Sequence, residues 1–429
     1  MPDQGSIHRT IAAIWRLEAA RVIGRVARMV RDVGLAEDCA QDALVAALEH
    51  WPASGVPDKP GAWLMTAAQR RALDHLRHAR LAAERAPQVA EELDFAHQTA
   101  QSAFATAVDD ALDDPIGDDL LRLIFTACHP VLSPEARCAL TLRVMGGLGT
   151  DEIARAYLKP EATIAQRIVR AKRALAAARV PFEVPRGDAL LVRLGPVLEV
   201  IYLIFNEGYA ATAGADWMRP ALCEEALRLG RVLARLLPDA GEVHGLAALM
   251  EIQASRFEAR TDAQGRPVLL ADQDRRRWDR LLIRRGLEAL QRAERLPGPH
   301  GHLGPYTLQA AIAACHARAP AAADTDWPRI AALYDALAQV APSPIVTLNQ
   351  AVAVAQAFGP GAGLELVDPL RDDPRLAGYH LLPAVRGDLL ARLGRHEDAR
   401  AEFLRAAQLT RNQQEQALLR ARAAELGGV

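Results

Sequence analysis

Hydrophobic positions along this chain recur mostly at helical spacing, and no segment alternates long enough to make a convincing strand. In "AWLMTAAQRRALDHLRHARL", Leu64, Ala68, Ala72 and Leu76 share one helix face, with Arg70, Arg71, Arg77 and Arg80 off that stripe. In "TDEIARAYLKPEATIAQRIVRAKRAL" a short helix runs to a joint at Leu158-Lys159-Pro160. The helix after the joint carries Ile164, Ile168, Ala171 and Leu175 as an apolar stripe. Thr150 is expected to cap the first of these two helices, and Asp151 and Glu152 to complement its N-terminal dipole. "LSPEAR" predicts another start, with Ser133 as N-cap and Pro134 at the first helical position. One break, "WPASGVPDKPG" from Trp51 to Gly61, holds three prolines and two glycines and reads as a loop. The expected fold is all-α.

At 429 residues the chain should form several domains. The N-terminal stretch has charges inside its apolar run and does not read as a signal peptide. No apolar run reaches the ~18 residues needed to span a bilayer. Five widely separated cysteines, with no CxxC pair, argue against a disulfide framework and for a reducing, cytoplasmic setting. The formal net charge of −2 excludes a general polyanion binder, but charge is unevenly distributed. From Glu84 to Asp119 ten acidic residues face one arginine, Arg85, which marks an acidic linker with weak helical content. Near the end, Gly359 and Gly394 stand at joints about 34 residues apart, the tetratricopeptide period. Ala399 and Ala406 lie where paired helices must approach.

Thr163, Gln166, Arg167, Arg170 and Arg173 lie out of phase with the apolar stripe on the second helix. Amides and guanidiniums on an open helix face are what major-groove reading needs: arginine for guanine edges, glutamine for adenine, further cations for phosphates. An amphipathic bundle helix with a solvated basic face gives the same pattern. Leu158 stands where a helix-turn-helix usually has glycine. Upstream, "LAEDCAQDALVAALEHW" puts Glu37, Asp38, Gln41 and Asp42 along one helical side, with Cys39, Ala43, Leu44, Ala47 and Leu48 available for packing. An acidic patch of this kind suits a basic protein partner. The arginine-rich helix after the Pro/Gly loop suits single-stranded or melting DNA, and Trp63 could either stack on a base or join the core.

In order and spacing, these three motifs resemble the sigma-70-type transcription initiation factors, specifically the small extracytoplasmic-function class that keeps only regions two and four. The resemblance covers roughly residues 8 to 180. It implies region two over 8–82, a linker over 83–119 and a helix-turn-helix region four over 120–180. It implies core RNA polymerase as partner, through the clamp helices of the largest subunit and the flap, with Glu37, Asp38, Gln41 and Asp42 on the docking helix. Promoter DNA is the other implied partner. The minus-ten element would meet the Trp51 to Gly61 loop with Trp63, Gln69, Arg70, Arg71, Arg77 and Arg80. The minus-thirty-five element would meet Thr163, Gln166, Arg167, Arg170 and Arg173. The family commonly has Arg-Asn before the arginine at 71, where this chain has Gln69-Arg70, so its promoter preference at that contact should differ.

The remainder, 188–429, resembles the tetratricopeptide-like extension of one branch of these factors, through "LIFNEGYAAT", "LLADQDRRRWD" and "GPYTLQAAIAACHA". The resemblance implies a regulatory role, and Asn206, Glu207, Tyr209, Asp272, Arg275, Trp278 and Tyr306 are its candidate residues. Read on their own, Asn206 and Glu207 fit helix caps or a buried polar network, and helical-repeat surfaces also bind peptides or small effectors. His300 and His302 lack a third ligand at metal spacing, so neither metal nor cofactor is expected. No nucleophile elbow, P-loop or dinucleotide fingerprint points to an enzyme. Two rivals share the same elements: a stand-alone helix-turn-helix regulator with a repeat sensor, and a helical-repeat scaffold. Only the sigma reading gives Asp38, Gln41 and Asp42 a task.

Overall fold

The computed structural model describes residues 4–83, 115–157, 159–211, 213–214, 217–296 and 302–427. Most of the acidic linker, Leu158 at the helix-turn-helix joint, and His300 therefore lie outside the described residues. The described chain is built of α-helices and divides into two compact units, Met1–Leu203 and Ile204–Val429.

The first unit opens with α1 (Gln4–Val30), α2 (Val33–Ser54) and α3 (Pro60–Ala83). Asp32 caps α2 by accepting from the Leu35 N–H at 3.0 Å. The predicted stripe of α3 is the buried one: Leu64, Ala68, Ala72 and Leu76 all face the core. Trp51 is not in a loop. α2 continues through Pro52 to Ser54, and the non-helical joint shrinks to 55–59. Pro52 leaves the Leu48 carbonyl without its helical donor, and burying Trp51 against Trp63 holds that last turn in place.

After the linker come α4 (Pro115–Ala127), α5 (Pro134–Val144), α6 (Thr150–Tyr157) and α7 (Glu161–Ala177). α4 begins inside the span expected to be linker. Ser133 caps α5 as predicted, accepting from Ala136 N–H at 3.3 Å, with Pro134 next. The cap of α6 moves back one residue. Thr150 is already helical, and the Glu152 carboxylate accepts from the Gly149 N–H at 2.8 Å. Ile164, Ile168, Ala171 and Leu175 are the buried residues of α7. The next helix, α8 (Asp188–Tyr209), contains the division between the units. Its first half belongs to the first unit: Arg193 donates to the Phe125 carbonyl at 2.7 Å, and Glu199 pairs with Arg137 at 3.1 Å.

The second unit continues with α9 (Pro220–Leu236), α10 (Gly241–Ala254), α11 (Arg280–Arg295), α12 (Pro305–Arg318), α13 (Trp327–Val340), α14 (Pro344–Phe358), α15 (Pro360–Val367), α16 (Leu381–Arg392), α17 (His396–Leu409) and α18 (Gln413–Glu425). Gly359 (φ 100°) joins α14 to α15 and Gly394 (φ 77°) joins α16 to α17, a backbone region open to glycine. Ala399 and Ala406 are fully buried where α17 meets its neighbours. Among the described residues strand is confined to two dipeptides. β1 (Ala213–Gly214) runs parallel to β2 (Arg411–Asn412), and Asn412 Nδ2 donates to the Ala211 carbonyl at 3.0 Å, tying the start of the unit to its end.

Candidate nucleic-acid and protein interface

On α2 the apolar side packs inward through Cys39, Ala43 and Ala47, leaving Asp38, Asp42, Val45 and Leu48 exposed and Gln41 half-buried beside them. Spacings of three and four residues make this one continuous stripe, acidic at one end and apolar at the other. Leu48, expected in the packing set, is on the open side. Glu37 departs from its expected place in the docking patch. Only 2% exposed, it takes Arg143 Nε from α5 at 2.7 Å and Lys172 Nζ from α7. Its carboxylate is used inside the protein, because α2 rotates it toward the cationic sides of those two helices. Asp38, at the rim of the same cluster, accepts from Lys172 at 2.7 Å while its side chain stays 67% exposed. Burial alone would lower the Lys172 pKa, but the two carboxylates outweigh it and hold the ammonium above its usual range.

On α7, Thr163, Gln166, Arg170 and Arg173 are exposed, with Arg167 half-buried among them. All but Arg173 line a shallow cavity of about 360 Å³ against Val131 and Ser133. Pro160 leads into the helix at φ −57° and ψ 139°, and no side chain caps it. The N-terminal amides of α7 are thus left for a solvent or ligand oxygen. On α3, Arg70, Arg71 and Arg77 are exposed and Gln69 is half-buried. Arg77 has a weak intrahelical partner in Asp74 at 3.4 Å. The Arg80 side chain lies outside the described residues. Trp63 is held edge-on to Trp51, ring centroids 5.3 Å apart, and is half-buried.

In the second unit the expected regulatory residues do not gather in one open site. Glu207 is buried and paired with Arg219; Asn206 is half-buried within α8, its carbonyl accepting from Ala210 N–H at 2.8 Å. Tyr209 stacks on Phe205 and lies under the Arg260 guanidinium, 3.5 Å from the ring centroid. Arg256 bridges Tyr209 and buried Trp278 at 5.7 and 5.8 Å. Arg275 is 7% exposed and donates to the carbonyls of His316 (2.6 Å) and Ala319 (2.7 Å) and to Thr325 Oγ1 (3.1 Å). The Tyr306 N–H donates to Glu242 at 2.9 Å, at the start of α12. Asp272 is exposed in a short 3-10 turn. Three of these residues, Tyr209, Arg275 and Trp278, therefore belong to a cation–π framework. Sequence reading missed Arg256 and Arg260, for which the density of arginine in "SRFEAR" was the available signal.

Of that set only Arg275 lines the unit's large cavity, about 580 Å³, whose apolar wall includes Trp327, Val385 and Leu419. His316 lies there too, edge-on to Trp327, and burial with Arg256 and Arg275 nearby pushes its pKa down to about 4. The thiols of Cys128, Cys138 and Cys223 are pushed up to about 12, chiefly by burial, and so stay protonated. Among the described residues no group of three or more His, Cys, Asp or Glu is placed to hold a metal ion, and no helix is long and apolar enough to cross a membrane.

Comparison with known proteins assigns these surfaces to a family. Residues 14–81 match the model for sigma-70 region 2, residues 122–175 that for sigma-70 region 4, and residues 193–294 a family of unknown function, DUF6596. An uncharacterized protein of Rhizobium meliloti is 44% identical over 400 residues, covering 93% of this chain and 92% of that protein. A protein named ECF RNA polymerase sigma factor SigK, from Mycobacterium ulcerans, is 32% identical over 161 residues, 36% of this chain and 78% of the relative. The probable ECF RNA polymerase sigma factor SigI of Mycobacterium tuberculosis is 32% identical over 175 residues, 41% of this chain, which spans 57% of SigI. No solved structure matches. The two sigma regions fall on the helices that carry the α2 stripe and the α7 face, and the chain belongs to the sigma-70 family, as a member of its extracytoplasmic-function class.

Proposed function

We propose that this sigma factor docks on core RNA polymerase through the exposed stripe of α2 and directs it to promoters read by α3 and α7. The polymerase contact uses Asp38, Gln41 and Asp42 with Val45 and Leu48 beside them, against the clamp helices of the largest subunit. Arg70, Arg71 and Arg77 track the minus-ten strand. Thr163, Gln166, Arg167 and Arg170 meet minus-thirty-five base edges, and Arg173 meets phosphate. The observation that carries this reading is the α2 stripe. An exposed acidic and apolar ridge has no use in binding DNA, and beside the cationic open faces of α3 and α7 it fits a protein partner. Such a factor works where polymerase works, in the cytoplasm. The second unit, a repeat-like array of helices, regulates this activity, and its 580 Å³ cavity is where an effector would act.

In vitro transcription with purified core tests the first claim. Asp42→Arg should abolish core binding while leaving the fold intact, and Arg170→Ala should weaken promoter recognition by about 1–3 kcal/mol. A protein that binds a defined operator without core and never starts transcription with it would instead be the stand-alone regulator. For the second unit, truncation must fall near Leu203, since an earlier cut removes the Arg193 and Glu199 contacts of the first unit. Unchanged promoter output in cells after that cut would refute regulation by the extension.

A further inference from the structure

Two non-glycine residues among those described adopt positive φ: Arg31 at 55° and Arg179 at 47°. Arg31 closes α1, its N–H donating to the Ala27 carbonyl at 2.8 Å. Arg179 follows α7, its N–H donating to Ala176 and the next residue's, Val180, to Leu175 at 3.1 Å. This is the left-handed closure of a helix end, where glycine is the ordinary choice and a side chain costs about 1 kcal/mol or more. The backbone therefore needs the conformation but not the arginine.

Both arginines line the same cavity, about 660 Å³, enclosed by parts of α1, α2, α4 and the segment after α7. Arg28 and Arg122 line it as well. Four arginines thus line it, two from the region-2 side and two from the region-4 side, with Arg28, Arg31 and Arg179 exposed and Arg122 half-buried. Each of the two strained arginines offsets the negative end of its own helix, which accounts for some positive charge but not for four at one place. The carboxylates at the wall are fewer. Asp32 is turned to the Leu35 N–H as a helix cap, and Glu183 is exposed with Arg193 in electrostatic reach. Asp119 pairs with Arg122 at 2.9 Å and with Arg25 at 3.8 Å. Arg28 lies in electrostatic reach of the same Asp119, beyond ion-pair distance, and among the described residues no carboxylate stands within ion-pair distance of Arg179. One wall is apolar, with Pro181 and half-buried Phe182.

The geometry points to a binding site for a polyphosphate group, carried by a nucleotide or by an inorganic chain, that ties region 2 to region 4. Planar guanidiniums match phosphate oxygens in pairs, and several phosphates in series use more arginines than one can. The volume lies within the range of small-molecule sites, roughly 300–1,000 Å³, and takes a mononucleotide-sized molecule, not a duplex. Phe182 offers a surface for a base if the phosphates come on a nucleoside. Because the cationic groups come from both regions, the bound anion holds them together and raises the stability of the first unit. This inference rests on the cavity and its arginines alone and survives failure of the polymerase reading.

The test is calorimetric titration of the full chain with tripolyphosphate and, separately, with ATP, at fixed ionic strength. The expected result is saturable one-to-one binding and a rise in the first thermal transition. Arg179→Gly should weaken binding about tenfold or more while leaving the unliganded protein as stable or more so, since glycine suits that backbone. Arg28→Gln should weaken it similarly, and Arg371→Ala, an exposed arginine of the second unit, should not. Equal affinity for the two probes assigns the site to the phosphate chain alone; tighter ATP binding adds the nucleoside at Phe182. No saturation at millimolar probe, or equal weakening by Arg179→Gly and Arg371→Ala, overturns the proposal as nonspecific charge attraction.

Discussion

Replacing Glu37 by Gln separates a residue that holds the first unit together from its neighbour on the open face. The Glu37 side chain is 3% exposed, and its partners Arg143 and Lys172 are 18% and 15% exposed, so the charges are largely out of water. Removing one member of a buried ion pair costs about 3–5 kcal/mol, because the remaining charge loses its compensation. Here Arg143 keeps the Leu148 carbonyl at 3.2 Å and Lys172 keeps Asp38 at 2.7 Å, which places the cost near the lower end, about 3 kcal/mol. For a unit of this size each kcal/mol moves the midpoint by roughly 2–4 °C, so Glu37→Gln should lower it by about 6–12 °C. Asp38→Asn, at a mostly exposed site, should cost about 0–1 kcal/mol and act on core binding instead. Circular dichroism on heating, with a pull-down on core polymerase, reads both effects. Adding Lys172→Met to Glu37→Gln should restore part of the loss, since the uncompensated cation is then gone. A shift below about 1 °C for Glu37→Gln, with core binding lost as in Asp38→Asn, would refute the internal role.

Two further perturbations concern the second unit. His316 has a lowered pKa, so its contribution is present above the unfolded value near 6.5 and is lost as pH falls toward about 4. The unit's stability should drop by about 2–3 kcal/mol over that window, and His316→Gln should flatten the dependence in pH-resolved urea unfolding. At Gly208 an added Cβ would sit 2.7 Å from the backbone nitrogen of Cys223 and 2.9 Å from Leu222 Cβ. Gly208→Ala should therefore cost about 1–3 kcal/mol, and an unchanged unfolding midpoint would show that α8 and α9 can separate there.

The helix faces were legible because burial repeats with the helical period. The stripes at Leu64, Ala68, Ala72 and Leu76 and at Ile164, Ile168, Ala171 and Leu175 needed no tertiary knowledge. The end of α2 was not legible. The run of prolines and glycines signalled a loop from Trp51, whereas the pairing of Trp51 with Trp63 across the joint keeps the helix going to Ser54. Nor could the place of Glu37 be read from its neighbours. Its partners lie 106 and 135 positions away, and only the packing of α2 on α5 and α7 decides which of Glu37 and Asp38 turns inward. In the second unit the buried pairing of Glu207 with Arg219 fits the polar-network reading of its sequence, whereas the ring contacts did not show in it. Tyr209 and Trp278 turn out to be platforms for Arg256 and Arg260.

These internal pairings also bear on how much positive charge the molecule can offer to DNA. Counted along the sequence, α7 and the helix before α6 present a basic surface in which Arg143 and Lys172 rank equally with Arg167, Arg170 and Arg173. In the folded unit the first two are consumed by Glu37 and Asp38, and of these five only the last three remain, with the arginines of α3, for the proposed phosphate and base contacts. A net charge near zero is therefore no obstacle to promoter binding. The carboxylates of α2 cancel arginine and lysine that face the protein, and leave uncancelled those that face outward. Lys172 sits one helical turn from Ile168 and two positions from Arg170, so a single helix divides its circumference among core, open basic face and ion pair. A substitution at Lys172 should consequently disturb the region-2 contact before it disturbs promoter affinity, whereas one at Arg170 should do the reverse.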